Sequence, residues 1–263
     1  MPHPALRGLV SYTAYHAVMA TPGLHHGLPS TALTAILAFD EPLDVSWRDD
    51  RERGRHWAMV SGLHAGPALI RFDRIQHGIQ LDITPRGARA LLGVTAGSLA
   101  GRLVPLADVL GGSADDLYAD VAGAPTWARR FDLLEQHLLS RLDRAAAPAA
   151  SPELARAWSV VRQARGGVRV ADIAAEVGWS RRHLTQRFTG EFGIGPKQAA
   201  RIERFQHARL LLAGGQRVAD IASSCGYADQ AHLTREFREL GGCTPTGWRR
   251  DLLSFVQDTA AVG

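Results

Sequence analysis

The chain has little cysteine and no long apolar run, and each shortage excludes a class of protein. Only Cys225 and Cys243 occur in 263 residues, too few for a disulfide framework or, by themselves, a zinc site. That usage predicts a reducing, cytoplasmic compartment. No stretch approaches the ~18 apolar residues of a membrane span, so no membrane partner is expected. The opening Met1-Pro2-His3-Pro4-Ala5-Leu6-Arg7 lacks a charged segment followed by an apolar block, the pattern of a signal peptide. Gly-x-Ser-x-Gly, a phosphate loop and a dinucleotide fingerprint are also missing. The expectation is therefore a protein that is not an enzyme and needs no cofactor.

What is present is a globular composition, 46% hydrophobic and 21% charged, long enough for two domains. The charge is uneven: residues 1–150 carry a net −1 and residues 151–263 a net +5, the direction expected if the second part meets phosphate. The small-residue, proline-punctuated stretch from Ala145 to Pro152 reads as a linker. The resulting division is a first domain over 1–144, a linker over 145–151, a helical domain over 152–253 and a tail over 254–263.

In the first domain, strands are predicted at Leu33 to Phe39, Trp57 to Ser61, Ala68 to Phe72 and Ile79 to Thr84. Helices follow at Arg86 to Leu92, Ser113 to Val121 (with Ser113 as its cap) and Thr126 to Arg144. This is an α+β arrangement, a small sheet followed by helices on one side. The last helix has Phe131, Leu134, Leu138, Leu139 and Leu142 at helical spacing; that stripe can pack on its own sheet or on the same helix of a second copy. His25-His26 reads as part of a solvated Gly/Pro-rich loop. The other histidines show no metal-ligand spacing, Asp49 to Arg53 reads as an exposed loop, and Trp47 and Trp57 read as core in preference to pocket lining.

The second domain is predicted all-α, with helices at Pro152–Arg165, Val170–Val177, Arg181–Phe192, Pro196–Ala213, Val218–Cys225, Gln230–Leu240 and Pro245–Leu253. It contains an imperfect repeat. Ala171-Asp172-Ile173-Ala174 returns as Ala219-Asp220-Ile221-Ala222 and Gly178-Trp179 as Gly226-Tyr227, an offset of 48. After one insertion, His183-Leu184-Thr185, Phe188, Gly193 and Pro196 return at an offset of 49 as His232-Leu233-Thr234, Phe237, Gly242 and Pro245. Each copy reads as helix, glycine turn and helix, a layout whose second helix can enter a major groove. Core positions are Ile173, Ala174, Val177, Leu184 and Phe188, then Ile221, Ala222, Cys225, Tyr227, Leu233 and Phe237. Ser180 and Asp229 are placed to cap the second helices. Arg181, Arg182, Thr185, Gln186 and Arg187 are left outside in copy one, and Gln230, Ala231, Thr234 and Arg235 in copy two.

These pieces, with Gly193-Ile194-Gly195-Pro196, the long helix Arg201 to Leu212 and the segment Gly241 to Arg249, make residues 170–250 resemble the DNA-binding domain of AraC-type transcription regulators. The resemblance implies two helix-turn-helix units joined by a long helix, reading successive major-groove segments of double-stranded DNA. It implies base contacts by Arg182, Thr185 and Gln186 and by Gln230, Ala231, Thr234 and Arg235. Ala231 departs from a position that is commonly polar, and Gln186 from one that is often arginine. Phosphate contacts are expected from Arg169, Arg181, Arg217 and Arg238. By the same resemblance the first domain binds a small-molecule effector or forms a homodimer, and the protein meets RNA polymerase as activator or repressor. Residues 30–140 also resemble N-terminal domains found ahead of such repeats, through Gly62-Leu63-His64, Thr84-Pro85-Arg86-Gly87-Ala88 and Arg130-Phe131, without naming a ligand. A DNA-repair methyl acceptor, the enzymatic alternative for this repeat, needs a reactive cysteine, and residues 1–224 have none.

Overall fold

The computed structural model describes residues 2–18, 21–48, 52–144 and 149–254. Among the described residues the N-terminal domain has nine strands: β1 (Val10–Val18), β2 (Gly23–Gly27), β3 (Leu33–Phe39), β4 (Leu43–Trp47), β5 (Gly54–His56), β6 (Ala58–Ser61), β7 (Ala68–Phe72), β8 (Ile75–Ile83) and β9 (Leu103–Pro105). They form two antiparallel sheets, ordered β1-β8-β3-β6-β9 and β2-β7-β4-β5. The alternation at Ile79, Leu81 and Ile83 places those side chains in the core and leaves Gln80 and Asp82 half-buried. β3 is buried at almost every residue because it is flanked by β6 and β8 and covered on both faces.

The helices of this domain are α1 (Pro85–Gly87), continued by a π-helical turn over Ala88–Leu92, then α2 (Ala96–Leu99), α3 (Leu106–Leu110), α4 (Ser113–Gly123) and α5 (Trp127–Arg144). Thr84 caps α1 by accepting from the Gly87 N–H at 3.0 Å. Ser113 is not a cap: it is the first residue of α4, and Gly112 stands at the cap with no side-chain bond. The apolar stripe of α5 packs on its own chain, with Leu134 and Leu138 in the main core and Phe131, Leu139 and Leu142 against it.

The histidine pair departs from the expected solvated loop. His25 and His26 lie in β2, paired with Ile70 and Leu69, and His25 tilts against Phe72 at 5.9 Å. Burial pushes the His25 imidazole down from 6.5 to about 4, with help from His26. On acidification the unfolded chain takes this proton near 6.5 and the folded chain only near 4. The contribution of His25 is therefore complete above 6.5 and is lost as the pH falls toward 4. Urea unfolding of the parent and of His25→Gln should show a shallower loss of stability for the variant across that window; parallel pH curves would refute the assignment. Trp47 is core, as expected. Trp57 is not: it is 45% exposed, leaning on Tyr118. Asp49 to Arg51 lie outside the described residues, while Glu52 accepts from the Trp47 indole and the Leu103 N–H.

Residues 145–148 of the expected linker lie outside the described residues, as does the tail beyond Ser254. The C-terminal domain is helical throughout: α6 (Pro152–Gln163), α7 (Val170–Glu176), α8 (Arg181–Phe192), α9 (Pro196–Ala213), α10 (Val218–Ser224), α11 (Gln230–Gly241) and α12 (Pro245–Ser254). Ser151 caps α6 ahead of Pro152. The two domains share one core, which runs from Leu6, Leu33 and Ile83 through Leu134 into Leu154, Ile173, Phe188 and Ile202. Polar contacts reinforce it. Arg89 forks onto Glu191 with both N–O distances at 2.7 Å, and the Thr31 hydroxyl donates to Glu203 at 2.8 Å. Arg209 of the second domain is half-buried at this interface, where burial lowers its guanidinium and the field of Asp82 opposes that effect.

Candidate nucleic-acid interface

The two repeats build the same motif from the same backbone chemistry. Gly178 follows the end of α7 and Gly226 that of α10, both at φ +71°, a left-handed turn that costs glycine little. In each, the glycine N–H and the next residue's N–H fold back onto the helix: Gly178 to Ala175 O and Trp179 to Ala174 O, Gly226 to Ser223 O and Tyr227 to Ala222 O. This doubly bonded stop satisfies the last carbonyls of the helix and turns an aromatic ring inward. Trp179 then meets His183 edge-on at 4.7 Å, and Tyr227 meets His232 edge-on at 5.2 Å. Ser180 caps α8 by accepting from the His183 N–H at 3.2 Å, and Asp229 caps α11 by accepting from the His232 N–H at 2.6 Å.

With entry and exit fixed, the helical period decides which residues face out. Leu184 and Phe188 are buried in α8, and Leu233 and Phe237 in α11. Phe188 stacks with Trp158 and meets Phe192, while Phe237 meets Phe205 of the long connecting helix α9. The opposite face of α8 exposes Arg181, Arg182, Thr185, Gln186 and Arg187. That of α11 exposes Gln230, Ala231, Arg235 and Arg238 around the half-buried Thr234, and these residues (Gln230, Ala231, Thr234, Arg235 and Arg238) line a shallow, open hollow. Thr185 and Thr234 donate their hydroxyl protons to Arg181 O and Gln230 O, each at 2.8 Å. Their remaining offering is a methyl group and an acceptor oxygen, which suits apolar contact with thymine or acceptance from a base amino group.

The four expected phosphate contacts fall into two kinds. Arg169 and Arg217 precede α7 and α10 and fork onto Asp172 and Asp220 at 2.7–3.2 Å, remaining 85% and 82% exposed. The bond to each carboxylate raises the guanidinium and lowers the carboxyl, so a phosphate has to compete with the arginine's own aspartate. Arg181 and Arg238 make no ion pair among the described residues and offer their whole charge. Arg201 and Arg204, on the connecting helix, are structural: Arg201 bonds Glu236 and Glu239 of α11, and Arg204 lies over the Tyr227 ring at 5.3 Å. Cys225 is buried beside them, and burial pushes its thiol up, away from a reactive thiolate. Among the described residues no three His, Cys, Asp or Glu side chains converge as a metal site requires, and no helix is long and apolar enough to cross a membrane.

Residues 156–251 match the helix-turn-helix domain family. An uncharacterized HTH-type transcriptional regulator of Staphylococcus aureus strain MSSA476 is 31% identical over 83 residues, 31% of this chain and 11% of that protein. The uncharacterized HTH-type regulator YbfI of Bacillus subtilis is 36% identical over 66 residues, 25% of this chain and 24% of that one. The matched part is thus a quarter or less of these relatives. Over its whole length the chain is similar in fold to ToxT from Vibrio cholerae, with a TM-score of 0.58, 12% identity and coverage of 94% of this chain and 99% of ToxT. The structure of wild-type ToxT bound to an unsaturated fatty acid gives 0.56 at 11% identity, covering 95% and 97%.

Proposed function

We propose that this chain, whose residues 156–251 form a helix-turn-helix domain of AraC type, is a sequence-specific transcription regulator that reads two successive major-groove segments of double-stranded DNA. The observation that carries this reading is the duplicated motif: two identically stopped and capped helices, each turning an outward face of Arg, Gln and Thr to solvent. Base reading is assigned to Arg182, Thr185 and Gln186 on α8 and to Gln230, Ala231, Thr234 and Arg235 on α11. Phosphate contact is assigned to Arg169, Arg181, Arg217 and Arg238. In this division residues 152–253 read DNA, residues 1–144 regulate, 145–151 link and 254–263 form a tail. Cytoplasmic location and contact with RNA polymerase follow from the function.

Regulation is assigned to a small-molecule effector or to dimerisation through the first domain. The fatty acid in ToxT is a precedent for an effector on this fold. Here the cavity between β1/β8 and β4/β7 holds about 150 Å³ and is edged by Tyr15, Asp44, Arg55, Arg71 and Gln76. It is below the roughly 300 Å³ of a drug-sized site and favours a small polar molecule over a long acyl chain.

Selection of bound duplexes from a random library at fixed salt tests the reading. It should enrich sites with two short blocks about one helical turn apart; no enrichment with the full chain would refute base reading. Arg235→Ala should relax preference at one position by about 1–3 kcal/mol. Arg181→Ala should weaken all sequences alike and flatten the log–log salt slope by about 0.9, and Arg169→Ala should do so less because Asp172 already holds its charge. Equal losses on all sequences for Arg235→Ala and Arg181→Ala would withdraw Arg235 from base reading.

A further inference from the structure

The two sheets have four edge strands, and they are not treated alike. On one flank stand β9 and β5, each three residues long, the first ending in Pro105 and the second carrying Arg55. Short length, proline and charge are the devices by which sheet edges avoid pairing with other chains. On the other flank stand β1 and β2, consecutive strands, each outermost in its sheet. β1 pairs with β8 on one side, and among the described residues no strand pairs with its other side. It is nine residues long, and Val10-Ser11-Tyr12-Thr13-Ala14-Tyr15-His16-Ala17-Val18 contains no Lys, Arg, Asp, Glu, Pro or Gly. Val18 is 64% exposed and Leu24 on β2 is 50% exposed, two of the four large exposed hydrophobic side chains among the described residues.

We infer that β1 is the edge through which a second copy of this chain adds, joining two five-stranded sheets across a twofold axis. The strand is nearly its own reverse. With the axis at Ala14, antiparallel pairing sets Val10 opposite Val18, Ser11 opposite Ala17, Tyr12 opposite His16 and Thr13 opposite Tyr15. Aromatic and β-branched side chains facing one another are the cross-strand pairs that stabilise a sheet, and no like charges meet. The alternative surface, the apolar stripe of α5, already packs on its own chain, with Leu134 and Leu138 buried and Phe131, Leu139 and Leu142 half-buried. This inference specifies the dimerisation part of the proposed regulation, and it stands or falls without DNA.

The mass of the full-length protein in solution, measured without DNA at tens of micromolar, tests it. The parent should run at twice the mass of one chain. Ser11→Lys/Val18→Lys, two changes at exposed positions, should shift it to single-chain mass and keep a cooperative thermal transition, lowered only by the loss of the partner and no longer dependent on protein concentration. Ser11→Cys/Ala17→Cys should give a covalent dimer on oxidation, because those positions lie opposite each other between copies and are six residues apart within one; neither single variant should do so. A parent of single-chain mass overturns the inference, as does a dimer that survives both lysines and is not trapped by the cysteine pair, which would place the interface elsewhere. Bound DNA plays no part in these readings, so a monomer leaves the assignment of α8 and α11 untouched.

Discussion

Arg89→Ala is expected to lower the unfolding free energy by about 3 kcal/mol, the lower end of the cost of breaking a buried ion pair from one side. The two partners are 17% and 8% exposed, and the guanidinium meets the carboxylate through two bonds of 2.7 Å. Glu191 is the next-to-last residue of α8, where the helix dipole disfavours a negative charge. Removing Arg89 therefore leaves an anion that is poorly solvated and badly placed, at the seam between the two domains. Arg89→Met/Glu191→Leu removes both charges at similar volume and should cost less than about 1 kcal/mol. Urea unfolding at neutral pH separates the cases. A double variant as unstable as Arg89→Ala would mean that the bonds of the pair themselves hold the seam, and that the uncompensated charge is not the cause.

That ion pair also marks the boundary of what the chain reveals before it folds. The C-terminal helices, turns and caps were legible because each rests on local chemistry: the 3.6-residue period of Leu184 and Phe188, the left-handed glycines 178 and 226, the cap positions of Ser180 and Asp229. In the first domain the legible strands were β3, β6, β7 and β8, which carry apolar runs or alternate clearly. β1 was not, because Val, Tyr, Ala and His on one face and Ser, Thr, Tyr and Ala on the other give little contrast between its sides. β2 was misread as a loop because glycines bound it and histidines fill it; the burial of His25 comes from Phe72 and Ile70, over forty residues away. β5 and β9 are too short to show a period. Arg89 with Glu191 and Thr31 with Glu203 lie more than a hundred residues apart, and no local signal announces them. The exposed faces of α8 and α11 followed from the core positions. The self-neutralised state of Arg169 and Arg217 did not, although an aspartate three residues after each arginine was there to be read.

The same seam sets the second large effect. Gly193 and Gly242 are equivalent in the repeat, and both end a helix in the left-handed conformation, at φ +76° and +72°. Alanine at either should cost about 1–2 kcal/mol from the backbone alone. Their surroundings differ. A Cβ at Gly193 would stand 2.0 Å from the Ala100 Cβ and 3.0 Å from the Gly97 backbone, where α8 crosses α2. A Cβ at Gly242 would stand 2.9 Å from the His26 ring and 3.2 Å from Pro67. The His26 ring can swing aside, but Ala100 and Gly97 can yield only by moving α2 off α8. Overpacking of that kind adds about 1–3 kcal/mol. Gly193→Ala should thus lose about 3 kcal/mol or more and Gly242→Ala about half as much, read as denaturant midpoints at unchanged slope. Equal losses would mean that the domains part at the α2–α8 contact with no cost beyond the turn itself. A loss confined to Gly193→Ala would show in addition that the first domain grips the helix-turn-helix pair by its first unit, the one whose second helix carries three exposed arginines.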